Sequence, residues 1–290
     1  MKQAVPLLRT LILLCTLLTV GSGRAEPLAA ARSLFQRADY RAVIERLVPL
    51  REKSPAAWAL LGKAYYGEGE FAKAIDALEK AVAGDPGRSD WWDWLGRAYG
   101  RRAEKGNILK ALGRAKKARE AFEKAVEIDP NNVEALVDLF LFYLEAPRLI
   151  GGGAEKAARL AERLRQLDPA EYEWTRAELA KKRKNWAAAE SHLRRALELE
   201  PRELGRLLDL AAFLMQRGRY REAASLFAQA ERLAPAAPKL LFVRAQAYAE
   251  AGRNRAEARR LLQAYLEARL TPDDPPRWEA RELLAKLERD

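Results

Sequence analysis

The sequence predicts an all-α protein, and three observations support this. The chain has 290 residues and is 49% hydrophobic, which is enough to bury a sizeable core. Ala, Leu, Arg and Glu dominate and β-branched residues are sparse, so the summed helix propensity is high over almost every window. Large and small residues also recur with a period of about 34, which indicates a stack of repeated helix pairs.

The clearest repeat runs from Trp58 to Pro86. Gly62 lets a neighbouring helix approach closely, and Leu78 between two small alanines gives knobs and holes for packing. This unit resembles the tetratricopeptide repeat at every signature position, and the resemblance implies a right-handed α-α superhelix. Its signature residues are Trp58, Leu61, Gly62, Tyr65, Gly69, Phe71, Ala74, Leu78, Ala81 and Pro86.

Five further units follow the same pattern and close at later prolines. We therefore predict a solenoid of about six helix pairs over residues 58–272, with degenerate end units. Degenerate helices are expected over residues 26–57, and a capping helix over residues 273–290. The closing prolines are Pro86, Pro130, Pro169, Pro201, Pro235 and Pro272.

Two of the units are too long. The intervals from Pro86 to Pro130 and from Pro130 to Pro169 are 44 and 39 residues. The extra residues fall between the two helices of each unit, near residues 100–116 and 146–153. Such connections leave a solenoid on one edge, so we expect the two insertions to be neighbours in space and to mark a binding side.

The first insertion is strongly basic. From Arg97 to Arg119 there are nine Lys or Arg residues and one acid, Glu104. The run is typical either of a solvated helix face or of a binding edge, and the glycines of the second insertion fit either a flexible connector or a shaped turn. Outside the groove discussed next, the candidate edge residues are Arg102, Lys105, Lys110, Arg114, Lys116 and Lys117.

The tetratricopeptide resemblance implies a concave groove lined by the first helix of each unit. Apolar anchors there would give affinity for a peptide and charges would set its register, although any solvent-facing helix can carry such a mixture. The Lys and Asn set with which some family members hold a C-terminal carboxylate is missing. The residues carried over to the groove are Lys63, Tyr66, Asp93, Arg97, Arg101, Leu141, Glu145, Met215, Phe242 and Gln246.

The first 25 residues have the layout of a secretory signal peptide. Lys2 and Arg9 precede an apolar run of about ten residues, and small residues lead to a plausible cleavage position after Ala25. Cleavage would lower the net charge from +11 to +8 and remove Cys15, the only cysteine. An uncleaved anchor is the alternative. We expect a periplasmic or secreted protein of a bacterial envelope.

Little in the sequence indicates catalysis. His192 is the only histidine, so a multi-histidine metal site is excluded, and the glycines at 151–153 lack the Lys-Ser or Lys-Thr of a phosphate-binding loop. Trp58, Trp92 and Trp186 occupy signature positions and are expected in the core; Trp91 and Trp94 are not explained in this way. No cofactor and no metal is predicted.

Two functions are therefore expected. The first is a non-catalytic envelope scaffold or assembly factor that binds a protein or peptide in the groove or on the insertion edge. The alternative is an adaptor for an anionic polymer or lipid surface, which would use the basic insertion and weaken with salt. Nucleic acid is not an expected partner, because export separates the chain from the genome.

Overall fold

A computed structural model describes residues 22–105 and 107–289. These residues form fifteen α-helices and one short 3-10 helix, and they contain no strand, which confirms the all-α prediction. Residues 1–21, which hold most of the predicted leader, lie outside the described residues.

Six antiparallel helix pairs form the body of the molecule. Two helices, α1 (Ser22–Gln36) and α2 (Tyr40–Leu47), precede them, and α15 (Arg277–Arg289) follows. The pairs are α3 (Pro55–Gly67) with α4 (Phe71–Gly84), α5 (Ser89–Glu104) with α6 (Ile108–Ile128), α7 (Val133–Glu145) with α8 (Ala154–Leu167), α9 (Pro169–Lys182) with α10 (Trp186–Leu199), α11 (Leu204–Gln216) with α12 (Tyr220–Leu233), and α13 (Pro238–Glu250) with α14 (Arg255–Glu267).

Local signals start the first helices of the units. The side chains of Ser54, Asn132 and Asp168 each accept a hydrogen bond from the backbone N–H three residues later, at 3.2, 3.1 and 2.8 Å. Each bond satisfies an amide at the helix start that has no partner within the helix. Pro55 and Pro169 follow two of these caps and need no such partner.

Glycine allows the two helices of a unit to pack closely. A Cβ atom on Gly62 would lie 2.5 Å from Cγ of Leu78 in α4, and one on Gly96 would lie 2.6 Å from the ring of Phe122 in α6. These separations are shorter than van der Waals contact, so a larger residue would force the helices apart. The packing role predicted for Gly62 is therefore confirmed.

The basic insertion is helical, and the expectation of an inserted loop is wrong. α5 has 16 residues and α6 has 21, whereas the other helices of the pairs have 13 or 14, so the extra residues lengthen both helices. The physical reason is propensity: between Ile108 and Arg119 the chain is rich in Ala, Leu, Lys and Arg, and it has no proline.

The second insertion is a fixed turn around the 3-10 helix Arg148–Ile150. The amide of Gly153 donates to the carbonyl of Tyr143 at 2.7 Å, and the amide of Gly152 donates to Pro147 at 3.1 Å. The guanidinium of Arg119 in α6 donates to the carbonyl of Ile150 at 3.3 Å. The two insertions are therefore neighbours in space, as the spacing of the repeats predicts.

The carboxyl-terminal helix α15 returns to the amino-terminal units. Its Trp278 lies against the rings of Tyr66 and Phe71, with centroids 6.4 and 5.2 Å away. One hydrophobic cluster also joins Ala31 and Phe35 of α1 to Leu287 of α15. α15 therefore packs against both the last pair and the beginning of the solenoid.

Candidate interaction surface

The first helices of successive units lie side by side and form one continuous surface. A polar contact joins each neighbouring pair of these helices, and four of the five contacts have separations between 2.6 and 3.3 Å. These contacts are Lys63–Asp90, Arg97–Asp138, Glu145–Lys182, Glu171–Arg206 and Gln216–Glu250. We call this the concave surface.

The amino-terminal half of the concave surface is an aromatic and cationic cluster. The ring of Trp94 lies edge-on to Tyr66 at 5.3 Å, and Lys63 and Arg97 lie 5.3 and 4.9 Å from the Trp94 ring. Such contacts stabilise a cation over an aromatic face. Burial raises the pKa of Tyr66 to about 12. Trp94, unexplained by the repeat signature, is therefore a residue of this surface.

Arg97 holds three carboxylates at the centre of that half. It contacts Asp93 at 2.9 Å, Glu134 at 2.8 Å, and Asp138. Burial raises the pKa of Asp93 well above its ordinary value and raises that of Asp138, and a hydrogen bond links the two side chains. One oxygen of Asp93 is buried without a partner among the described residues, which agrees with a neutral carboxyl.

The helix α15 covers this half of the surface. The indole N–H of Trp278 donates to the carbonyl of Tyr66 at 3.1 Å, and Arg101 pairs with Glu279 at 3.1 Å. Lys105 pairs with Glu282. Because Arg101 and Lys105 also lie over the Trp278 ring, at 4.6 and 5.3 Å, part of the predicted binding surface is used within the molecule.

Three of the predicted groove residues are buried, although Phe242 still lines an open cavity of about 350 Å³ together with Arg101 and Gln246. Asp93, Met215 and Phe242 are 2, 4 and 6% exposed. Met215 is covered because α11 is apolar nearly all round and packs against α10, α12 and α13. Phe242 is covered because it contacts Tyr265 of α14, with ring centroids 5.3 Å apart, and so occupies a core position. The prediction that Asp93 and Met215 line an accessible groove is therefore wrong.

The remaining groove predictions stay accessible to different degrees. Lys63, Tyr66, Arg97, Arg101, Leu141 and Gln246 are half-buried, and Glu145 is exposed. Glu145 accepts from Lys182 at 2.7 Å, and Gln246 donates to Glu250 at 2.9 Å. The fold thus assembles these residues on one surface.

The carboxyl-terminal half of the concave surface contains an open cavity of about 470 Å³. Its apolar wall is formed by Val137, Trp174 and Val243, which come from α7, α9 and α13. Its polar wall includes Arg206, Asp209 and Lys239, with Glu171, Glu200, Glu203, Gly205 and Leu208 completing the lining. We call this cavity the central patch. It is not covered by α15.

Sequence reasoning missed the central patch because the fourth unit is weak in its first helix. Trp174 lies one residue after the position that corresponds to Trp58, where Glu173 stands in α9. A tryptophan next to a missing signature residue is the signal that could have located the patch. Asp209 lines the patch, and burial raises its pKa to about 6. The nearby cations Lys181 and Arg206 oppose that shift.

The predicted basic edge lies along the extended ends of α5 and α6. Lys105 pairs with Glu282 of α15. Lys117 donates to the hydroxyl of Tyr99 and lies 3.8 Å from Glu79, and Lys116 lies 3.9 Å from Glu120. Arg102 and Arg114 are half-buried and donate to the backbone at Lys105 and Arg102. Lys110 is exposed.

The described residues show no group of three or more His, Cys, Asp or Glu side chains that could hold a metal ion. His192 lies in α10 and is hydrogen bonded to Glu173 at 2.6 Å.

Trp186, expected in the core, is 38% exposed because it begins α10 at the turn, where Arg217 lies 4.5 Å from its ring. Within 22–105 and 107–289, no helix is long and apolar enough to cross a membrane.

Two family models match the chain. Residues 25–139 match the model described as "Tetratricopeptide Repeats-Sensor", and residues 175–238 and 208–275 match the model described as "Tetratricopeptide repeat". A curated relative, the small glutamine-rich tetratricopeptide repeat-containing protein 2 of Mycosarcoma maydis, is 34% identical over 113 residues. That match spans 38% of this chain and 29% of the fungal protein.

Solved structures resemble the fold. A tetratricopeptide repeat protein from Parabacteroides merdae superposes with a TM-score of 0.57 at 17% identity and covers 93% of this chain and 100% of its own. A thermophilic protein of the same repeat class in Thermus thermophilus gives 0.53 at 20% identity, covering 69% of this chain and 98% of its own. At these identities the likeness supports the helical solenoid alone.

Proposed function

The chain belongs to the tetratricopeptide repeat proteins, and on that premise we propose that it is a non-catalytic scaffold whose central patch binds a segment of a partner protein. Proteins built from this repeat are in general interaction scaffolds that bind other proteins. The observation that carries the proposal is the open cavity around Trp174, because it lies on the concave surface beyond the reach of α15.

The chemistry of the patch suits a peptide segment with a bulky apolar residue. Trp174, Val137 and Val243 offer an apolar wall that a side chain of the partner would bury. Arg206 is occupied by Glu171 and Glu200, at 2.6 and 2.9 Å. Lys239 makes no ion pair within the described residues, but it lies among Glu203 and Asp209, so its charge is offset within the patch.

We place this scaffold in the bacterial cell envelope as part of the same proposal. The support is the basic, apolar and small-residue layout of residues 1–25. Fusion of the full chain to alkaline phosphatase, which folds into an active enzyme only after export, should give active fusions. In a second fusion, Lys2 and Arg9 are replaced by acids and the apolar run is interrupted by charged residues. If this fusion remains active, export does not depend on this segment.

The binding proposal is tested by affinity capture from detergent-solubilised envelope extract. The wild-type chain should recover a discrete protein, and Trp174→Ala should recover at least tenfold less, because the apolar anchor of the patch is removed. Trp186→Ala is the matched control, since it removes an exposed tryptophan at a turn outside the patch. Equal loss from the control, or equal recovery by the patch variant, would contradict the proposal.

A further inference from the structure

The turns of the solenoid are electrically polarised from the second unit onward, whereas the turn of the first unit carries Glu68 and Glu70. From the second unit onward, every turn from a first to a second helix carries a cation and none carries an acid. These cations are Lys105, Arg148, Arg183, Lys184, Arg217, Arg219 and Arg253. We call the surface formed by these five turns the turn edge.

The opposite turns, which join one unit to the next, carry the reverse charge. From α4–α5 to α14–α15 they contain seven acids and three cations, Arg88, Arg202 and Arg269. The acids are Asp85, Asp129, Asp168, Glu200, Glu203, Asp273 and Asp274. The two edges therefore present fields of opposite sign, and such a separation orients the molecule towards an anionic surface.

Contacts between units make the turn edge continuous. Arg119 of the second unit reaches Ile150 of the third, and Lys182 of the fourth pairs with Glu145 of the third. Arg217 lies 4.5 Å from the ring of Trp186, and Arg253 lies 4.4 Å from the ring of Tyr220. Cations of neighbouring turns are thus held in one row.

Several of these cations remain available to a ligand. Lys105 and Arg219 are already paired with carboxylates. In the part of the chain that the structure describes, Arg148, Arg183 and Lys184 are exposed and make no ion pair. The row is therefore a charged surface without internal compensation at the turns of the third and fourth units.

Apolar side chains project from the same edge. Leu149 is 84% exposed at the tip of the 3-10 turn, and Trp186 and Tyr220 are 38 and 37% exposed at the starts of α10 and α12. The turn that carries Leu149 is held by the backbone bonds of Gly152 and Gly153 and by Lys156, which donates to Gly151 at 2.9 Å. Contact with a water-soluble polyanion would not stabilise a fixed, almost fully exposed leucine, whereas its transfer into hydrocarbon would lower the free energy of the system.

We infer that the turn edge docks on a bilayer that contains anionic phospholipid. Arg148, Arg183 and Lys184 would contact the headgroup phosphates, and Leu149 would enter the acyl boundary. Trp186 and Tyr220 have the apolar body and polar tip that suit this interface. The acidic edge would face away from the membrane and leave the concave surface free, so this inference is independent of the proposed protein partner.

Flotation with phospholipid vesicles tests the inference. The full chain should float with vesicles of phosphatidylcholine and phosphatidylglycerol, should not float with phosphatidylcholine alone, and should be released as salt rises. Arg183→Glu with Lys184→Glu should weaken binding by about tenfold or more, since each reversal replaces attraction with repulsion. Arg202→Glu on the acidic edge is the matched control and should float like the wild type.

A second pair of variants separates a membrane from a soluble polyanion. Leu149→Ser should reduce flotation several-fold while leaving retention on an immobilised polyphosphate unchanged, and Leu199→Ser, which removes a 39% exposed leucine of the acidic edge, should change neither. Flotation with neutral vesicles, no flotation at all, or flotation that ignores both edge variants would overturn the inference. Binding to polyphosphate without flotation would overturn it too.

Discussion

The indole Nε1 of Trp278 donates a hydrogen bond to the carbonyl oxygen of Tyr66 at 3.1 Å, joining residues 212 positions apart in the chain. This contact fixes α15 over the amino-terminal half of the concave surface. The aromatic and cationic cluster of Tyr66, Trp94 and Arg101 is therefore already covered by α15, whereas the central patch is open.

Trp278→Ala should lower the free energy of unfolding by about 3 kcal/mol. The side chain is buried between Tyr66, Phe71 and Gly69, and its removal leaves a cavity that the helices cannot fill. Chemical denaturation followed by circular dichroism measures this change. Trp186→Ala should cost less than half as much because Trp186 is partly exposed; equal losses for the two variants would show that α15 does not pack as described.

Arg97→Met should destabilise the protein by about 3 kcal/mol or more, because it leaves Asp93, Asp138 and Glu134 without their shared cation. Asp93→Asn should change stability far less at neutral pH, since burial already raises the pKa of that carboxyl and favours its neutral form. The denaturation midpoints of both variants measure these changes in stability. A larger loss from Asp93→Asn than from Arg97→Met would contradict this arrangement.

Asp209→Asn should alter the dependence of stability on pH. Burial raises the pKa of Asp209 to about 6, whereas an unfolded aspartate has a pKa of about 3.9. Between these values the folded state binds more protons, so the wild type loses stability as the pH rises through this window, by up to about 3 kcal/mol. The change in melting temperature from pH 4 to pH 7 should therefore be more favourable for the variant than for the wild type.

The control for this prediction is Asp76→Asn, which changes an exposed aspartate of α4. Its melting temperature should follow that of the wild type at both pH values. If Asp209→Asn does the same, then Asp209 ionises in the folded protein as it does in the unfolded chain.

Gly113→Ala should stabilise the protein by about 0.5 to 1 kcal/mol. Gly113 lies within the extended α6, and a Cβ atom there would meet nothing within 4 Å. Alanine in an exposed helix interior costs less backbone entropy than glycine. Thermal or chemical denaturation reports the difference. An unchanged or lower stability would mean that the basic insertion is not helical in solution.

The sequence predicted the repeated helix pairs well because each signature residue acts locally. Gly62 and Leu78 meet within one unit, so their spacing alone anticipates their contact. The return of α15 could not be predicted, because the position of Trp278 beside Tyr66 depends on the accumulated twist of six units. The prediction for Met215 was wrong because a shift of one residue along α11 moves a side chain from the groove to the core.

The turn edge was also only partly predictable. The composition of the first insertion drew attention to its lysines, but the charges that remain free belong to later turns, at Arg148, Arg183 and Lys184. Pairing of Lys105 with Glu282 and of Lys117 with Glu79 arises from tertiary packing, which a count of charges does not contain.

The most direct test of the scaffold is site-specific photo-crosslinking in cells. A photoreactive residue at Val243 reports on the central patch, one at Lys110 on the basic insertion, and one at Lys80 on an exposed face of α4. Capture of the same discrete protein from Val243, and not from Lys110 or Lys80, is the predicted result. Capture from Lys110 or Lys80 with none from Val243 would contradict binding at the central patch.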